Sequence, residues 1–264
     1  MKRILIFILA NIYYQFLFAQ EESKKADLNG YISNMQSVQF QDVNGIWIND
    51  NIIQNRLNFN WYPSKKITFN AGLRTRLFTG ESVKLIPGYG DLLEESDLGY
   101  FELNKNIIED SSVILNLNID RLFFKYEHEK FAATIGRQRI NWSNTYVWNP
   151  NDLFNAYSFF DFDYPERPGS DAIRLQYFTN EVSSIEVAAK IDKNSELTAA
   201  ALWKFNKRNY DFQLMSGFLN SSEYAIGGAW SGAVKSIEFK GELTYLRPFD
   251  NFSDTTGQFM SSIF

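Results

Sequence analysis

The sequence predicts an all-β protein, an antiparallel transmembrane β-barrel of eleven or twelve strands with a short helix in one long loop. Three observations predict it. Apolar and polar residues alternate strictly over nine to eleven positions, with polar partners too numerous and too charged for a core. The alternating segments are near ten residues long, the length of a strand that crosses a bilayer, whereas sandwich strands run to about five or six. The long connections also fall at one end of the strands and the short ones at the other.

Residues 1–20 read as a secretory signal peptide. Lys2 and Arg3 form a basic start, Ile4 to Ala10 an apolar run, and Leu17 and Ala19 the −3 and −1 positions of a cleavage site. Asn11 and Gln15 interrupt the run and oppose a permanent anchor. Residues 21–264 then form a single outer-membrane barrel domain.

The strands begin with Leu28 to Phe40 and Ile52 to Trp61. In Ile67 to Thr79, the residues Ile67, Phe69, Ala71, Leu73, Thr75 and Leu77 share one face, and Thr68, Asn70, Gly72, Arg74 and Arg76 the other. An arginine at the lipid midplane would cost about 2–4 kcal/mol, so the second face belongs to a lumen. Along Val113 to Tyr126 the apolar phase starts on Val113, Leu115, Leu117 and Ile119. It then passes to Leu122, Phe124 and Tyr126, which implies a bulge near Asp120 or a break into two elements.

Phe131 to Asn141 follows. Asp171 to Thr179 sets Ile173, Leu175 and Tyr177 against Arg174 and Gln176, and Ser183 to Ile191 comes next. Glu196 to Asn206 is the plainest strand, with Leu197, Ala199, Ala201, Trp203 and Phe205 opposite Thr198, Ala200, Leu202 and Lys204. After Tyr210 to Phe218 and Tyr224 to Ser231, Ser236 to Leu246 places Ile237, Phe239, Leu243 and Tyr245 against Glu238, Lys240 and Glu242. A twelfth strand starts near Gly257. The long connections 41–51, 80–112, 142–170 and 247–256 share one end. The short ones Pro63 to Lys66, Glu127 to Lys130, Asn180 to Val182 and Lys207 to Asn209 share the other, the asymmetry of outer-membrane barrels.

Composition narrows the function. The 264 residues are 45% hydrophobic and 17% aromatic, which opposes disorder. The absence of cysteine removes thiol catalysis and thiolate metal sites. The formal charge is −5, and losing Lys2 and Arg3 with the leader would leave −7, which disfavours nucleic acid as a partner. His128, the single histidine, sits in the turn Glu127-His128-Glu129-Lys130 and reads as solvated, so no catalytic triad is assembled. Asp161, Asp163 and Glu166 lack the glycine of a calcium loop and are interrupted by Pro165. No cofactor, no metal and no enzymatic activity are expected.

Charge points to a passage. Arg56, Arg74, Arg76 and Arg174 lie on polar faces across from Glu186, Asp211, Glu238 and Glu242, which stand beside Lys190, Lys204 and Lys240. A basic arc facing a more acidic one would orient solutes and tune ion selectivity; lumen salt bridges that merely satisfy charge are the alternative. Arg137 and Arg139 share the parity of Ile135, so either a bulge at Gly136 turns them inward or they lie at the membrane edge. Trp61, Tyr62, Tyr126, Trp142, Tyr146, Trp148, Phe159, Phe160, Tyr210 and Tyr245 suit an interfacial girdle, with sugar stacking the alternative for Trp142, Trp148 and Tyr157.

The most distinctive stretch is Gly136-Arg137-Gln138-Arg139-Ile140-Asn141-Trp142, followed by Asn149-Pro150-Asn151-Asp152 and by Tyr164-Pro165-Glu166-Arg167-Pro168-Gly169. Asn149 as N-cap, Pro150 at the first helical position and Asp152 in the first turn predict a helix to about Tyr157. From Arg121 to Phe178 the chain resembles the porin-like outer-membrane β-barrels of the alginate-export type and related uncharacterised Gram-negative barrels. The resemblance implies that residues 143–170 fold into the lumen and narrow a pore, with Trp142, Trp148, Asn149, Asp152, Tyr157 and Arg167 in the constriction. Arg56, Arg74, Arg76, Arg137, Arg139, Arg174, Lys204, Glu238 and Glu242 are the candidate lining. Such barrels are generally larger, and Ser261-Ser262-Ile263-Phe264 lacks a full preceding strand, so a truncated chain is expected.

The expected function is passive passage of small hydrophilic solutes, anionic or saccharide, through an outer-membrane channel whose partners are lipid and solute. The alternatives are a secreted soluble β-rich carbohydrate-binding or glycan-processing domain, and a barrel serving as a structural or adhesion platform.

Overall fold

In the computed structural model, residues 25–146, 148–154, 167–249 and 257–264 are described. Thirteen strands form one antiparallel sheet, the wall of an all-β barrel. They are β1 (Ala26–Phe40), β2 (Trp47–Ser64), β3 (Ile67–Gly80), β4 (Asn104–Asp110), β5 (Val113–His128), β6 (Phe131–Gln138) and β7 (Ser170–Asn180). The rest are β8 (Ser183–Ile191), β9 (Leu197–Lys207), β10 (Tyr210–Leu219), β11 (Glu223–Val234), β12 (Ile237–Pro248) and β13 (Gln258–Ile263). Two short helices, α1 (Glu81–Leu85) and α2 (Tyr89–Glu95), precede β4. Each strand pairs with the next in sequence, except that β3 pairs β5 and β4 lies off the path against β5. Among the described residues β1 and β13 end this path and do not pair with each other.

Polarity is inverted relative to a soluble core. On one face Leu28, Ile32, Ile135, Ile173 and Ile226 are exposed, Ile32 at 76%. On the other, Glu186, Thr198, Glu242 and Thr244 are at most 1% exposed. A sandwich would cover the apolar face with a second sheet; here one sheet holds every described strand, and its large apolar residues face outward. Aromatic side chains mark the short-turn rim, with Trp61, Tyr126, Phe131, Tyr177 and Trp203 all exposed.

The short connections are tight. Arg208 and Asn209 both adopt positive φ (56° and 63°), the backbone of a two-residue hairpin turn whose twist matches its strands. Parity holds throughout. The connections 41–46, 81–112, 139–169 and 249–257 share one end with 192–196 and 220–222.

The phase change in β5 is a bulge. Gly72 opposes Arg121 and Leu73 opposes Ile119, which leaves Asp120 as the extra residue. The sequence reading missed β4, inside the connection expected over 80–112, because five of its seven residues carry polar side chains and it pairs on one edge. The helix expected from Asn149 does not form over 149–154. Asp152 N–H donates to the Asn149 carbonyl (3.1 Å) and Leu153 N–H to that of Asn151 (3.0 Å), giving a tight turn. Tyr157, Phe159, Phe160, Asp161, Asp163 and Glu166, like residues 1–20 of the expected leader, lie outside the described residues.

Candidate pore and its inserted loop

The inward face of β7–β12 is built from small residues. Ala188, Ala200, Gly217 and Ala225 are successive register partners across β8–β11, with Ala172 and Gly227 on the same face of β7 and β11. Side chains this small leave a hollow, and the chain after β6 fills it. Ile140, Trp142, Leu153 and Phe154, each at most 4% exposed, pack there with Leu202, Met215 and Leu246. Trp142 and Phe154 meet edge to face, with ring centroids 4.9 Å apart. Burying four such side chains contributes roughly 1.5–3 kcal/mol each.

Polar contacts fix the loop's position. The Trp142 indole N–H donates to Glu186, which also receives Arg174 through two bonds (2.7 and 2.8 Å) and Gln176 (3.0 Å). Lys190 Nζ and Ser170 Oγ both donate to the Phe154 carbonyl (2.8 and 2.7 Å). The Asn144 amide donates to the Trp230 carbonyl (2.7 Å) and its main-chain N–H to Glu242 (2.6 Å). Where the loop returns, Arg121 donates to the Arg167 carbonyl (2.8 Å), and Arg167 stands 3.8 Å from Asp152, both buried. The described residues of this loop therefore touch β5, β8, β11 and β12.

A second polar face belongs to β2, β3 and β5. Arg56 donates to Asp120 (2.6 Å) and Asn58 (2.9 Å), and Arg74 to Gln54 (3.2 Å). Arg76 donates to Asn116 (2.9 Å) and lies over the Phe78 ring. Side-chain amides continue this wall, Asn58 bonding Asn29 and Asn70 bonding Asn60.

At the long-loop end α1 and α2 close down on the same wall through Phe78, Val83 and Ile114, with Ile52, Tyr89 and Leu93 against them. Asn116 donates to Asn104 (2.9 Å) and Asn106 (3.0 Å) of β4. Glu94 accepts from Lys105 Nζ (2.8 Å) and Asn106 N–H (2.7 Å); these bonds hold its carboxyl below the usual range, and the same contact raises the Lys105 ammonium.

The sequence-derived candidates separate into three groups. Arg56, Arg74 and Arg76 share one wall. Arg174, Glu186 and Lys204 gather on β7–β9, with Lys204 half-buried in the field of Glu186 and Arg174. Arg137 is 2% exposed and is taken up in a knot, donating to Asp171 (2.9 and 2.8 Å), Asp97 (2.6 Å) and the Phe101 carbonyl (2.6 Å). That knot ties the α2–β4 connection across β6 and β7. Gly136 has φ +114° but causes no register shift, so the bulge expected there is absent, and Arg137 stands one residue from the long-loop end of β6. Arg139 is half-buried just past β6, with its Nε buried.

Glu242 and Glu186 do not face open space, because the loop covers them at 0% and 1% exposure; the acidic arc expected there is an anchor. Glu238 is exposed at the short-turn end beside Lys240 (3.1 Å). Trp142 belongs to the inserted loop and not to the girdle. Trp148 is 56% exposed, its carbonyl accepting from Thr145 Oγ1 (2.5 Å), and Asn149 Oδ1 accepts from the same hydroxyl (3.2 Å).

Sequence reasoning passed over Asn144, Asn151 and Thr244, and saw Asp120 as a bulge without its arginine. The run of inward alanines and glycines was the readable signal for a seat.

No protein-family model matches the chain, and no curated protein matches it. Among solved structures, OccAB4 of Acinetobacter baumannii is similar with a TM-score of 0.47 and 11% identity, over 90% of this chain and 63% of the other. The chain thus spans under two thirds of that protein's length.

Proposed function

We propose that this chain forms the wall of an outer-membrane channel through which small hydrophilic solutes, anionic or saccharide, diffuse passively. Residues 1–20 serve as a cleaved export signal. The carrying observation is the inverted polarity, an exposed apolar face around a polar interior that holds an inserted loop. Lipid suits the outer face, since the apolar belt is far larger than soluble monomers expose. Solutes would pass along the arginine–asparagine wall of β2 and β3. Size would be set by the loop, and orientation by guanidinium groups and amides that exchange hydrogen bonds with carboxylates or hydroxyls. No chemical step is needed.

Single-channel recording in planar bilayers with a salt gradient tests this, together with extraction. The expected result is membrane-bound protein that needs detergent for release and carries discrete current steps. Processed protein that stays soluble after disruption without detergent removes the reading.

A further inference from the structure

Glu242 is fully buried and sits midway along β12 under the inserted loop. Its Oε2 accepts the Asn144 N–H at 2.6 Å and its Oε1 the Asn151 N–H at 3.4 Å. Thr244, the next inward residue of β12, donates to Asn151 Oδ1 at 2.6 Å, and the Asn151 amide donates to the Gly228 carbonyl of β11 at 3.1 Å. Both ends of the segment 144–151 therefore converge on one carboxylate. Beneath them β11 offers Gly227, where a Cβ would collide with Met215 and crowd Asn151.

A buried carboxylate is stable when N–H groups replace the water it has lost. Here those N–H groups belong to the loop. The solvation of Glu242 and the seating of the loop are thus one event: lifting the loop strips the anion of its donors, and neutralising the anion removes the pull on the loop.

We propose that Glu242 is the positioning residue that sets the aperture of the passage, holding the described loop residues of 142–154 against β8–β12. This rests on the channel reading. The seat itself does not, so two readouts are needed. The chain has no cysteine, so Leu153→Cys, at a loop residue 4% exposed, supplies a single thiol whose reaction with a maleimide reports loop release without any current. Bilayer conductance of the cysteine-free protein reports aperture.

Glu242→Gln keeps the shape but loses the charge and one acceptor. It is expected to speed labelling of the Leu153→Cys protein at least tenfold and to change single-channel conductance at least twofold. Glu242→Asp, which keeps the charge and withdraws it by one methylene, should fall between, and serves alone if the glutamine variant does not fold. Labelling within twofold of the parent in the variants that fold overturns the proposal while leaving a conducting channel intact. Faster labelling with unchanged conductance overturns the claim on aperture. Faster labelling in a protein whose parent carries no current keeps the anchor and removes the channel reading.

Discussion

Replacing Asp120 by asparagine tests how the charged wall is held. Asp120 is the bulged residue of β5. Its side chain is 3% exposed and bonds Arg56, 8% exposed, at 2.6 Å, with Arg121 a further 3.5 Å away. Asparagine preserves size and one acceptor oxygen but leaves two guanidinium groups close together without the carboxylate between them. Breaking a buried pair by removing one partner costs about 3–5 kcal/mol. The retained oxygen places Asp120→Asn near the lower end, about 3 kcal/mol, which is roughly a 150-fold loss in the folding constant. Urea titration of the detergent-folded protein, followed by tryptophan fluorescence and by the mobility of unheated samples on gels, measures it. Adding Arg56→Met should recover a large part of the loss, because the uncompensated charge is then gone. A loss under about 1 kcal/mol for Asp120→Asn, or no recovery in the double variant, would refute the reasoning, since an exposed pair behaves that way.

Arg74→Glu combined with Arg76→Glu should move the reversal potential in a salt gradient toward cation preference; an unmoved potential takes those side chains out of the passage. Ala200→Leu forces a larger side chain under Trp142 and Phe154, and overpacking costs about 1–3 kcal/mol. It should lower the urea midpoint and enhance quenching of Trp142 by acrylamide, and unchanged quenching would mean that Ala200 is not part of the seat. The Glu94–Lys105 contact gives a signed pH dependence. Because Glu94 is lowered in the fold, its contribution is present above the carboxyl's unfolded value and fades as pH falls through the folded one. Because Lys105 is raised, its contribution is present below the ammonium's unfolded value and fades at alkaline pH above it. Proteolysis of segment 96–103 should therefore be flat across neutral pH and quicken below about pH 4. Glu94→Gln should be as susceptible at pH 7 as the parent is in acid.

The strand pattern was readable because a two-residue period under a lipid boundary condition leaves little freedom: wherever an arginine fell, its neighbours on either side had to face out. The phase change in β5 was readable for the same reason, since Ile119 and Leu122 cannot share a face without an extra residue between them, but a bulge and a break leave the same trace in sequence. The anchors of the loop were not readable. Glu242 has the parity of Glu238 and Lys240, and parity alone puts all three in the lumen. What separates a 0% exposed carboxylate from one left in water is a loop that begins about a hundred residues earlier. Arg137 failed in the same way. Its parity was known, but the acids that take it up, Asp97 and Asp171, come from a connection and from the start of another strand.

This changes the electrostatics expected of the passage. From parity, a basic arc on β2 and β3 faces an acidic arc on β8 and β12, and the two fields would largely cancel along the axis. In the fold, Glu186 is matched by Arg174 and capped by Trp142, and Glu242 spends both oxygens on main-chain N–H groups of the loop. Both carboxylates lie behind the loop. On the channel reading, lifting the loop bares Glu242 to the passage, so the seated loop holds that acid out of the field a solute meets. Loosening the loop in a protein that keeps Glu242 should therefore shift the reversal potential in a salt gradient toward cations, and an unshifted potential would mean that Glu242 never reaches the passage.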